Sequence, residues 1–180
     1  MQHREPHTET LEKEGFDARE IANAVLLKAR AINGGDKLTA MQLIKLVYLV
    51  HGWSLALRGK SLVRNRPEAW QFGPVYPRIY KQVKGKGRNA VTDLLVDADG
   101  DVFYPHGISP KEELVVDHVL KSYGNKSAFS LSSITHKTDT PWDYTQKNLG
   151  LYQDIPEDEM MSHFNQLVDE RKIDKTIYQD

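Results

Sequence analysis

Hydrophobic positions are densest between residues 37 and 60, where they follow neither a two-residue alternation nor a single helical stripe. At helical spacing Met41, Leu43, Ile44, Leu46, Val47, Leu49, Val50, Trp53, Leu55 and Leu57 point in every direction, which marks a helix enclosed by other elements. Its ends are signalled locally. Thr39 and Gln42 have the spacing of a capping box, Leu38 and Leu43 that of a hydrophobic staple, and Gly59 suits a left-handed stop. So long an apolar run also invites a membrane-spanning reading. Gln42, Lys45, His51, Ser54 and Arg58 interrupt it, so the segment reads as the core helix of a soluble domain.

The pattern elsewhere predicts shorter elements around this one. Residues 1–15 are polar and read as a flexible leader. Asp17 and Glu20 suit N-cap and N3 of a helix running to about Ile32, with Ile21, Val25, Ala29 and Ile32 on its apolar face and Asn33–Gly34–Gly35 ending it. These two helices are expected to form an antiparallel hairpin. After an irregular basic stretch, residues 68–72 alternate aromatics in the manner of a short strand. Pro74 and Pro77 forbid a helix across the next segment, while Pro77 suits the first turn of a new one with Ile79, Tyr80 and Val83 inward and Lys81 and Lys84 outward. Residues 94–104 read as a β-hairpin turning at Asp99–Gly100. Further helices are expected from Ser109–Pro110 to Gly124, within residues 127–133, from Thr140–Pro141 to about Asn148, and from Pro156 to about Arg171. Residues 172–180 carry no pattern and read as a fraying tail. The expected architecture is mainly α (α+β): one compact helical domain over residues 16–171, built around a buried central helix, with a small β-hairpin or short sheet.

Composition adds exclusions. A chain of 180 residues suits one domain, and 39% hydrophobic with 27% charged residues describes a folded globule. The absence of cysteine removes disulfides and thiolate metal sites and is compatible with a reducing compartment. No apolar signal segment follows Met1, so a cytoplasmic location is expected. The net charge of −1 hides an asymmetry: residues 58–88 carry nine basic side chains against the single acid Glu68. Such a segment suits an acidic partner or nucleic acid, although no helix-turn-helix pattern with base-reading side chains accompanies it. Its candidate contacts are Arg64, Arg66, Lys81, Lys84 and Arg88. No chemistry is signalled. The seven histidines form no tight ligand pair, and no nucleophile elbow, Walker or dinucleotide-binding pattern occurs. Asp97, Asp99 and Asp101 resemble half a calcium loop without its downstream glutamate. No catalytic residue, metal ligand or cofactor is expected.

Three stretches taken together resemble a known family. The first holds Leu38, Thr39, Lys45-Leu46-Val47-Tyr48, His51-Gly52-Trp53, Leu55-Ala56-Leu57 and Gly59-Lys60; the second Ala69-Trp70, Phe72-Gly73-Pro74-Val75, Pro77 and Tyr80; the third Thr135-His136 and Pro141-Trp142. They are similar to the Panacea domain family of SocA-like, phage-associated GepA-type antitoxins, over roughly residues 21–142. The resemblance implies a compact helical antitoxin, bacterial or prophage-encoded, that neutralises a cognate toxin protein by direct contact. It also implies an alternative, an adaptor delivering a toxin to a ClpXP-type AAA+ protease. On this reading Tyr48, His51, Trp53, Trp70, Gly73, Pro74, Tyr80 and Trp142 form one structural cluster, its rings supplying packing area and its polar tips requiring buried partners.

Overall fold

The computed structural model describes residues 14–180; the expected leader lies outside them except for Glu14 and Gly15. Gly15 is already pinned, since a Cβ there would stand 2.9 Å from the Leu62 carbonyl oxygen. The Phe16 amide donates to that carbonyl (2.8 Å) and the Arg64 amide to the Phe16 carbonyl (2.9 Å). The first helix, α1 (Ala18–Asn33), starts from Asp17, whose carboxylate accepts from the Arg19 amide at 2.9 Å. The second, α2 (Ala40–Arg58), is the predicted core helix, and every residue from Leu43 to Arg58 is buried. Its capping box is formed: Thr39 Oγ1 accepts from the Gln42 amide (3.4 Å) and Gln42 Oε1 from the Thr39 amide (2.9 Å). By length and composition α2 is apolar enough to cross a membrane, yet 89% of that apolar window is buried inside the protein.

Two short strands follow, β1 (Glu68–Trp70) and β2 (Gly73–Val75), antiparallel with Ala69 opposite Pro74. Next come α3 (Pro77–Val83) with a 3-10 turn at Lys84–Lys86, α4 (Pro110–Tyr123), α5 (Ala128–His136), α6 (Pro141–Asn148) and α7 (Glu157–Arg171). Helices α1, α3, α4, α5 and α7 and strand β2 all pack on α2, which explains why it is apolar on every side. Helix α6 bridges α5, α7 and β1. The result is one hydrophobic core running from Ala18 to Tyr178.

Two expectations are corrected. Residues 94–104 do not form paired strands; a single bridge, Val96 to Val102, remains. The two arms exchange only the Asp97 amide to Asp101 carbonyl (2.9 Å) and Phe103 amide to Leu95 carbonyl (3.2 Å) bonds, and helix side chains take the neighbouring polar groups. Asn23 of α1 accepts from the Leu95 amide (2.8 Å) and donates to the Leu95 and Phe103 carbonyls (2.9 and 2.8 Å), while Gln82 holds both polar groups of Val96. Residues 172–180, expected to fray, instead carry a 3-10 turn at Thr176–Tyr178 that buries Tyr178. The cause lies in α2: the buried Arg58 guanidinium donates to the Tyr178 carbonyl (2.7 Å) and the Asp180 carboxylate (3.1 Å).

Candidate functional site

The first half of α2 and the β1–β2 hairpin enclose a lysine. Lys45 is fully buried, its Nζ donating to the Pro74 carbonyl at 2.9 Å. It has no ion pair among the described residues, and burial pushes its pKa down to about 7. Gly73 lies directly over the ammonium. Its φ of +105° favours glycine, and a Cβ there would stand 2.7 Å from Lys45 Nζ and 3.2 Å from Thr135 Oγ1. Pro74 is tolerated in β2 because the proline contributes its carbonyl, the lysine's acceptor, and needs no amide there.

The expected single cluster of motif residues is divided. Trp70, Gly73, Pro74, Tyr80 and Trp142 gather at the hairpin: the Trp70 ring meets Tyr80 edge-on at 4.8 Å, and Trp142 Nε1 donates to the Trp70 carbonyl at 2.6 Å. Tyr48 and Trp53 instead meet the Phe164 ring of α7, at 6.2 and 5.5 Å, with Trp53 also against His118 of α4 at 4.8 Å. His51 belongs to neither group; it is buried, and its Nδ1 accepts from the Val63 amide at 3.1 Å. Because α2 is surrounded, motif residues spaced along it face different neighbours.

Beside the hairpin group lies a groove of about 400 Å³ lined by Met41, Ile44, Lys45, Val75, Trp70 and Tyr80, and also by the exposed Phe72, Tyr152 and Lys84. Phe72 and Tyr152 are 61% and 58% exposed, unusual for aromatics held in place. Tyr152 is fixed by its amide donating to the Ala69 carbonyl (2.7 Å), and Phe72 by its carbonyl accepting from Ser132 Oγ (2.8 Å). A second hollow of about 460 Å³, between α1 and α4, is lined by Ile32, Asp117, Leu120 and Lys121 and holds no aromatic ring.

Most of the basic 58–88 segment is tied to acids. Arg64 and Arg78 lie 3.9 and 3.3 Å from the buried Asp17, Arg66 lies 3.7 Å from Asp154, and Lys86 lies 3.0 Å from Asp93. Burial alone would push the Asp17 carboxyl up, but the hydrogen bonds and charge of Arg19, with Arg78, outweigh it and hold the pKa below its ordinary value. Arg58 and Lys60 both pair with Asp180. Of the five predicted contact residues, Arg64 and Arg66 therefore have acidic neighbours. Lys81, Lys84 and Arg88 are exposed without an ion pair among the described residues, and Lys84 sits at the groove.

Three side chains that matter here were not singled out as site residues from the sequence. Lys45 read as an interruption of an apolar helix, though a lone lysine in a helix apolar on all sides is itself a signal of burial. Phe72 read as part of a strand and of the family-like second stretch but not as a contact residue, and Tyr152 falls between helices, where no periodicity marks it.

These features define a small helical domain that presents a mostly apolar groove with Lys84, which has no ion pair among the described residues, at its edge. Among the described residues no group of three or more His, Asp or Glu side chains is placed to hold a metal ion. The chain belongs to the SocA-like antitoxin family, the Panacea domain, whose family model matches residues 43–143. That span runs from the first turns of α2 through the hairpin to the start of α6, and so contains most of the groove. The chain is also similar to Antitoxin SocA of Caulobacter vibrioides (strain NA1000 / CB15N), at 32% identity over 150 residues and 79% of each chain. No solved structure gives a significant match.

Proposed function

We propose that this chain neutralises a cognate toxin by direct protein contact, without catalysis, in the bacterial cytoplasm. The observation that carries the reading is its similarity, over 79% of both chains, to a relative named as an antitoxin, joined to the family match across the folded core. Direct contact is supported by the surface. Exposed aromatics on an anchored backbone are what protein interfaces concentrate. Six of the nine basic side chains in residues 58–88 already have an acid within ion-pair distance, which leaves little free charge for a nucleic-acid backbone.

Co-expression with the protein encoded beside this one, scored by growth and by co-purification, tests the proposal. Growth rescue with a stable complex is the expected result. Rescue with no complex, together with a shortened toxin half-life, would replace masking by delivery to a protease. No rescue would leave the family membership without this function.

A further inference from the structure

We propose that the groove between the start of α2 and the β1–β2 hairpin is where the toxin docks, and that it takes a segment bearing an aromatic or branched aliphatic side chain flanked by acidic residues. The inference rests on the antitoxin reading above and adds the surface and the chemistry of its occupant.

Three observations converge on this groove. At about 400 Å³, with a lining that is mostly apolar apart from Lys45, Gln71 and Lys84, it has room for a large side chain. Its aromatics Phe72 and Tyr152 are exposed but not loose. The Phe72 backbone is tied to α5 through Ser132, the Tyr152 backbone to β1 through Ala69 and its ring to Trp70 at 5.7 Å, so docking onto them orders little new main chain. Phe129, 82% exposed, stands one helical turn before Ser132 on α5. An anchor pocket surrounded by fixed aromatic area is the usual form of an interface hot spot.

Charge selects among occupants. The side chains of residues 58–88 without an ion pair among the described residues are Lys81, Lys84 and Arg88: Lys84 lines the groove, Lys81 precedes it by three residues on α3, and Arg88 follows Gly87, which also lines the groove. Lys84 stands one helical turn after Tyr80, and both line the groove, while Lys81 stands one turn before Lys84. A partner segment with acids beside its apolar anchor neutralises this row. A second copy of the chain docked by two-fold symmetry through the same surface brings the two rows of cations together, which disfavours self-association. The hollow between α1 and α4 lacks both features, containing one acid and one base and no exposed ring.

The test uses the full chain and the protein encoded beside it, with affinity measured by calorimetry and folding by circular dichroism and melting. Phe72→Ser with Tyr152→Ser changes two exposed side chains, so the fold is expected to persist while affinity falls about tenfold or more. Lys81→Glu with Lys84→Glu is expected to weaken binding and flatten its dependence on salt. Lys121→Glu, at the other hollow, is the control and should bind as the parent does. Overlapping short peptides of the toxin, titrated separately, should yield a binder with an apolar anchor next to Asp or Glu. A parent chain that forms no complex would sink the antitoxin reading itself. A parent that binds, with folded groove variants that bind equally well, would remove the groove alone. Self-association abolished by the Phe72/Tyr152 variant would assign the groove to a second copy. Tighter toxin binding after removal of residues 1–13 would assign it to the chain's own Leu11, which stands between Glu9 and Glu12.

Discussion

At the scale of a single residue, Lys45 makes the protein's stability depend on pH in an unusual direction. The unfolded chain keeps this lysine protonated to its ordinary value of 10.5, whereas the fold depresses it to about 7. Between those values the unfolded state binds more protons, so stability rises with pH through the window. Above about pH 10 the buried Tyr48 and Tyr76, whose hydroxyls burial pushes up, reverse the slope. Denaturant unfolding at about pH 7 and about pH 9.5 is expected to show a gain on the order of 2–3 kcal/mol at the higher pH. Lys45→Met should flatten that gain, and an unchanged slope would mean the ammonium is not held out of water as described. Little of this was legible beforehand. A charge in an apolar run marks a place where the run is broken, and only the crossing of Gly73 over α2 turns the break into a buried group. Gly73 and Pro74 were conspicuous in sequence, but their reason, an acceptor and a clearance for one ammonium, depends on a residue 29 positions away.

At the scale of elements, helix ends were readable and hairpins were not. The caps at Asp17, Thr39, Ser109, Ser127 and Thr140 are all formed, because a cap is satisfied within three residues of itself. Residues 94–104 had the alternation and turn of a hairpin, yet they keep one bridge and two cross-arm bonds, while Leu95 is also held by Asn23, 72 residues away. The crossing of α2 and α7 depends on Gly52, where a Cβ would overlap the Phe164 ring. Alanine is the better helix former by about 1 kcal/mol, so propensity alone predicts that Gly52→Ala stabilises. The packing predicts the reverse, a loss of about 1–3 kcal/mol from overpacking. Denaturation of Gly52→Ala decides between them. Addition of Phe164→Leu should recover part of the loss if the ring is the obstacle.

At the scale of the whole molecule, the groove draws on α2, the hairpin, α3 and the segment before α7, so it exists only when distant parts of the chain have met. Its buried apolar lining was legible as core, while its exposed lining was not, since exposed aromatics such as Tyr152 follow no period. The residues after α7 complete the assembly by capping Arg58. Truncation after Ile173 removes Tyr178 and Asp180 and leaves a buried guanidinium without those partners, at an expected cost of about 3 kcal/mol or more, readable as a lowered melting temperature. A truncated chain that melts with the parent would show that the tail merely rests on the surface. The same contact has a consequence for timing. Arg58 and Tyr178 are 120 positions apart, and at ordinary elongation rates a ribosome takes about 6–24 s to travel that distance. Through that interval the nascent chain holds a core helix whose last turn is still waiting for its partner. The surface around Arg58 is completed only once Tyr178 has been made, long after the helix that carries the arginine.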